Sequence, residues 1–204
     1  MSVKIVADSS CDLNEDLKKK LGIKLVPLTL EICGNVYRDD ENLDVKGMIK
    51  EMTACQTPPR TACPSPNEFI KAYEGEDSVF VVTLSSSLSG TYESAMLAKK
   101  MFLETAGNKF IHVFDSLSAS IGETLISIKI FELVKKKCSN LQIVEKVNEY
   151  IKGMKTFFLL ESLDNLIKNG RMSRVKGGIA TLLNIKPVMG ATDDGHIKLV
   201  EIGR

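Results

Sequence analysis

Hydrophobic and polar positions alternate along the chain in two rhythms, and their order predicts the architecture. "VKIVADSS" is a short apolar run, read as a buried strand over 3–7, that ends abruptly in Asp8, Ser9 and Ser10. "CDLNEDLKKKLGI" then follows a helical period, with Asp12 or Asn14 as cap and Gly22 as the stop. "KLVPLTLEICGNVYRD" predicts a strand leaving Pro27 and a hairpin about Gly34-Asn35, and residues 45–54 predict a helix. "CQTPPRTACPSP" holds four prolines and is expected to be an irregular loop. It leads into a short helix, "NEFIKAYEG", capped by Ser65 or Asn67.

The run "VFVVTL" at 79–84 is apolar throughout, as expected of a strand covered on both faces. A helix is predicted over 90–106 with Gly107 closing it, a strand over 110–116, a long helix to about Lys137 and another over 141–153. Strands alternating with helices define an α/β fold with an open, mostly parallel sheet flanked by helices. After residue 155 the rhythm changes. "TFFLLES" predicts a strand at 156–161, "LDNLIKNG" a short helix, "VKGGIATLLN" a second helix, and "IKPVMGATDDGHIKLVEIG" a hairpin turning at Asp193-Asp194-Gly195. The expected division is an α/β N-terminal domain, residues 1–154, and the start of a smaller C-terminal α+β domain, residues 155–204. That second domain is expected to be incomplete, because about 50 residues form a marginal unit alone.

Composition narrows the function classes. With 44% hydrophobic residues the chain can bury a core, and its net charge of +1 favours neither nucleic acid nor an anionic membrane. Lys18–Lys20 and Lys135–Lys137 lie near helix ends, where lysine suits the dipole and solvent. Neither a secretory leader nor an 18-residue apolar run is evident. The five cysteines are odd in number and form no CxxC pair, so a reduced, cytoplasmic setting is expected. His112 and His196 are the only histidines and have no companions at metal-ligand spacing.

The chemistry concentrates in "TLSSSLSGTYESA", 83–95, where strand passes to helix. In an open α/β sheet, ligands sit beyond the carboxyl ends of the strands. Ser89 as N-cap and Gly90 beside it would leave the helix's first N–H groups facing that crevice, an arrangement suited to a carboxylate. A nucleophilic Ser89 is the alternative, giving a small hydrolase or transferase. However, "SLSGT" lacks the outer glycines of a nucleophile elbow, and only two histidines could serve as base. A plain helix cap is the third reading. Neither a P-loop nor G-x-G-x-x-G after the first strand is present, so nucleotide phosphates are not indicated.

Several motifs in order, "VADSSCDL", "VPL", "TACPSPNEFIKAYE", "SSSLSGTYESA", "FDSLSASIG" and "NGRMSR", resemble the DegV family of fatty-acid-binding proteins across nearly the whole chain. The resemblance implies a two-domain protein that holds one long-chain fatty acid between its domains, with no cofactor, no metal and no catalysis of its own. It implies a partner as well: a dihydroxyacetone-kinase-like subunit that converts the presented carboxylate to acyl phosphate. By motif position the carboxylate contacts fall on Thr61, Ser89 and the Gly90 backbone, and an arginine at the entrance falls on Arg171. Family members run past residue 204, and that region carries a histidine for the carboxylate. His196, in the hairpin, is not expected to replace it.

Overall fold

The computed structural model describes residues 2–172 and 187–202. The elements run β1 (Val3–Asp8), α1 (Glu15–Leu21), β2 (Lys24–Val26), β3 (Thr29–Ile32), β4 (Asn35–Arg38), α2 (Val45–Ala54), β5 (Arg60–Ala62) and α3 (Pro66–Tyr73). They continue with β6 (Ser78–Thr83), α4 (Thr91–Ala106), β7 (Phe110–Asp115), α5 (Ile121–Lys135), α6 (Asn140–Gly153), β8 (Phe157–Phe158), α7 (Asp164–Lys168), β9 (Pro187–Ala191) and β10 (Ile197–Ile202). The helix expected over "VKGGIATLLN" lies outside the described residues.

A four-stranded parallel sheet, ordered β2-β1-β6-β7, forms the centre. Strand side chains alternate between faces, and the two faces carry separate cores. Ile5, Ala7, Phe80, Val82 and Phe114 pack under α1, α5 and α6, whereas Val6, Val79, Val81, Ile111 and Val113 pack under α3 and α4. Every residue of β6 is buried, which explains its unbroken apolar run. The α/β reading therefore holds. Helix ends follow local chemistry: Asn14 accepts the Leu17 N–H, and Gly22 adopts the left-handed conformation that ends α1. Ser139 and Gln142 form a capping box that opens α6.

Two small antiparallel sheets, β4-β3-β5 and β10-β9-β8, flank the centre. The first corrects the sequence reading, because β5 lies inside the proline-rich stretch expected to be irregular. Its prolines stop short of the strand itself, so Arg60, Thr61 and Ala62 can pair with Glu31, Leu30 and Thr29. The strand expected over 156–161 also shrinks, since only Phe157 and Phe158 of it pair with β9. Cys33 and Cys55 form a disulfide with Cα atoms 6.0 Å apart, a pairing not anticipated from the sequence. The bond ties the β3–β4 turn to the end of α2, a closure that linear spacing does not reveal.

Candidate functional site

The carboxyl ends of β1, β6 and β7 bring three polar segments together, and two buried or half-buried carboxylates fasten them. Asp8 ends β1 with no solvent exposure, and its Oδ2 accepts the Leu84 N–H at 2.8 Å. Asp115 ends β7, and its Oδ1 accepts N–H groups from Ser86 at 3.1 Å and Leu117 at 3.0 Å. Residues 84–90 are thereby held from both neighbouring strands. Within this serine loop the Ser85 carbonyl accepts from Leu88 N–H and Ser89 N–H, forming one tight turn before α4 begins.

The helix start differs from expectation by one residue. Gly90, with φ −73° and ψ 8°, occupies the N-cap, and Ser89 precedes it. Ser89 Oγ accepts the Thr91 N–H at 3.3 Å and lies 2.9 Å from Thr91 Oγ1. Gly90 is already near helical geometry, so its own side-chain-free backbone takes the capping place. Thr61 stands on β5, exposed to solvent, opposite Leu30. Two residues on, Cys63 Sγ lies 3.5 Å from the point a Cβ on Gly90 would occupy, and Ser94 Oγ donates to Pro64 O at 2.6 Å. The segment that carries Thr61 thus borders the start of α4.

The hairpin β9–β10 closes the other side. Ser85 Oγ donates to Gly195 O at 2.9 Å and Ser87 Oγ to Asp194 O at 2.6 Å. Gly195 is required there twice over: its φ is +78°, and a Cβ would stand 2.2 Å from Ser85 Oγ. These contacts leave a cleft of about 310 Å³ lined by Ser87, Leu88, Ser89, Gly90, Asn169, Gly170, Arg171 and His196. Arg171 is oriented by carbonyls, with Nη1 donating to Asn169 O at 2.7 Å and Nε to Leu88 O at 3.4 Å. His196 Nδ1 lies 3.2 Å from Asp194 Oδ2.

Of the residues singled out in the sequence, Ser89, Gly90 and Arg171 share this cleft, and Thr61 stands outside its lining. His196, not expected at the site from the sequence, lines the cleft as well. Its position follows from pairing that joins residues far apart in sequence, and the only local hint was the Asp-Asp-Gly turn beside it. His112 is elsewhere, half-buried in β7 and edge-on to Phe114 at 4.5 Å. Burial, with the Lys99 charge as a lesser cause, pushes it down to about 4, so the ring is neutral at physiological pH. Among the described residues no cluster of three or more His, Cys, Asp or Glu is placed to hold a metal. Among them, too, no helix is long and apolar enough to cross a membrane.

Helices on both faces of a parallel sheet define an open α/β fold, and its polar cleft lies beyond the carboxyl ends of the strands, where such folds commonly hold ligands. The sequence model of the DegV family, described as an uncharacterised protein family, matches residues 2–204. The chain belongs to the DegV family. A DegV domain-containing protein of Streptococcus gordonii is 38% identical, with 100% of this chain and 73% of the relative aligned. Among solved structures, a DegV family protein from Ruminococcus gnavus with vaccenic acid superposes with TM-score 0.95 at 38% identity, covering 100% of this chain and 73% of that one. The Streptococcus pneumoniae Fatty Acid Kinase (Fak) B3 protein loaded with linoleic acid gives 0.89 at 36% identity, with the same coverage.

Proposed function

We propose that this protein is a carrier that binds one long-chain fatty acid between units 1–154 and 155–204 and presents its carboxylate to a dihydroxyacetone-kinase-like kinase subunit for acyl-phosphate formation. In this reading the carboxylate is held by Thr61, Ser89 and the Gly90 backbone, and Arg171 at the rim faces the kinase. The observation that carries it is the convergence of Ser89, Gly90 and Arg171 on one cleft at the start of α4. A hydroxyl, helix-start N–H groups and a guanidinium are all donors, the complement of an anion. The relatives named above with vaccenic and linoleic acid support the choice of anion.

Segment 155–172 supports a place for the tail. It exposes Phe157, Leu159, Leu160 and Ile167, an apolar surface that an alkyl chain would cover. Burying about fourteen methylenes at about 0.8 kcal/mol each gives a gross term near 11 kcal/mol, whereas head-group hydrogen bonds net about 1–3 kcal/mol. Affinity should therefore follow chain length, with the polar residues fixing which end faces out. The test is mass spectrometry of a solvent extract of the purified protein, followed by palmitate titration of the parent, Ser89→Ala and Arg171→Ala. Loss of affinity in Ser89→Ala, with Arg171→Ala impaired only in acyl-phosphate formation, supports the reading. Butyrate binding as well as palmitate would overturn it.

A second reading, a serine-dependent hydrolase or transferase, has one observation in its favour. His196, whose Nδ1 lies 3.2 Å from Asp194 Oδ2, lines the same cleft as Ser89. The hydrogen bonds of Ser89 Oγ run to Thr91, however, along the start of its own helix. Labelling at Ser89 by a serine-reactive phosphonate would favour this alternative over the carrier.

A further inference from the structure

Behind the serine loop lies a buried pair of acids that the carrier reading does not use. Asp8 and Glu123 are both without solvent exposure, and Ser10 stands between them. Ser10 Oγ is 2.7 Å from Asp8 Oδ1 and 2.5 Å from Glu123 Oε1. Both contacts are hydrogen bonds by length, yet a serine hydroxyl has one hydrogen to give. One of the two carboxyl groups must therefore supply the second proton. Asp8 already accepts from Ser10 N–H at 3.0 Å and Leu84 N–H at 2.8 Å, the bonding of an ionised carboxylate. Glu123 Oε2 is buried without a well-formed hydrogen bond; the Ser120 N–H and the Asp8 carboxyl lie near the group, but burial outweighs them, a position more tolerable for a neutral acid than for a charged one. The proton belongs on Glu123, which donates to Ser10, which donates to Asp8.

The surroundings agree. The charges facing Glu123 come from Asp8 at the end of β1 and Asp12 in the segment that follows. Cys11 in that segment bonds Thr124 and is pushed up to about 12 by burial, so it adds no charge. β6 holds no ionisable residue, and α6 and α1 pack against α5 through Ile143, Val147, Ile151, Leu17 and Leu21. Among the described residues neither carboxyl pairs with a cation. Burial first, and the Asp8 charge second, raise Glu123 well above the ordinary carboxylate range.

We propose that Glu123 is a proton-bearing positioning residue whose neutral carboxyl, through Ser10 and Asp8, fixes the first residue of the serine loop, Leu84. Loss of the proton sets a second negative charge beside Asp8 across one hydroxyl that can serve only one of them. The Asp8–Leu84 bond then weakens, and with it the head-group site. The consequence for ligand rests on the reading of that loop as a carboxylate site; the proton assignment does not.

Three measurements on the full chain test this. An infrared difference spectrum of the parent against Glu123→Gln should show a protonated carboxylic acid band at neutral pH that is lost as the pH is raised further. Its absence at neutral pH overturns the proton assignment. Amide exchange at Leu84 should accelerate with pH beyond the intrinsic trend in the parent and show slow, pH-independent protection in Glu123→Gln, whose amide can donate to Ser10. Palmitate affinity in the parent should fall about tenfold relative to Glu123→Gln as the pH is raised through the infrared transition, the scale of a modest coupling between sites. The same Leu84 profile in parent and Glu123→Gln overturns the positioning role. Should Glu123→Gln fail to fold, Ser10→Ala removes the bridge instead, and slow Leu84 exchange in that variant counts against the proposal. If palmitate does not bind the parent at all, the carrier reading fails while the infrared and exchange results still decide the role of Glu123.

Discussion

The two segments proposed to hold the head group are built in opposite ways. The serine loop is anchored from behind by Asp8, Asp115 and the hairpin carbonyls, and its polar support is mostly buried. The Thr61 segment is a three-residue edge strand, exposed at each position. It is held by pairing with β3, by the Cys33–Cys55 disulfide just upstream, and by Asn169 Nδ2 donating to Pro59 O at 3.1 Å. One segment is set by a polar interior, the other by a covalent staple and an edge. The serine loop should therefore respond to pH and the Thr61 segment to redox conditions, and each response can be measured apart from the other.

The largest effect expected is from reduction of Cys33–Cys55 with dithiothreitol. Opening a link across 22 residues should cost about 3 kcal/mol, by its constraint on the unfolded chain, and should speed exchange near β5 while leaving Leu84 as it was. Next is Asp8→Ala. It strands the half-buried Leu84 and Ser10 donors and should cost about 2–3 kcal/mol in urea unfolding, leaving the Thr61 segment's exchange rates unchanged. Equal loosening of both segments in either experiment would erase the contrast.

The pH response is smaller per step. Because the folded-state pKa of Glu123 is raised, its contribution is fully present below the usual glutamate value, 4.5, and is lost as pH rises toward the folded value. The parent should therefore lose stability relative to Glu123→Gln by up to about 1.4 kcal/mol per pH unit above that point. Parallel curves for the two proteins would count against a buried, neutral Glu123. Smallest is the direct head-group comparison. Ser89→Ala and Thr61→Ala should each weaken palmitate by about 1 kcal/mol, read by titration, with the Thr61 effect shrinking after reduction because its strand is then less ordered.

The helices and central strands were legible because local pattern decides them. The apolar run of β6, the cap at Asn14 and the stop at Gly22 each state their structure within a few residues. β5 was not legible: its neighbours are prolines, and only a partner some thirty residues upstream makes it a strand. The Cys33–Cys55 bond and the arrival of His196 beside Ser89 are likewise products of long-range closure. Glu123 shows a subtler failure. A glutamate in the first turn of a helix is the expected solvent-facing partner of the dipole, so nothing local marks it as buried. Its role emerges only when Asp8 and Ser10 arrive from the first strand. At the candidate site, Ser89 and Gly90 could be reached from their place between strand and helix, whereas Thr61 and Arg171 came only from resemblance.

The two serine hydroxyls that grip the hairpin turn, Ser85 on Gly195 and Ser87 on Asp194, make a latch between segments some hundred residues apart. The turn cannot swing outward without pulling on the same loop that would hold the head group. Departure of the hairpin and slackening of the loop are in this sense a single event. A ligand bound there would leave at the pace of that joint opening, so its lifetime would be governed by the latch more than by the strength of any one contact to the ligand.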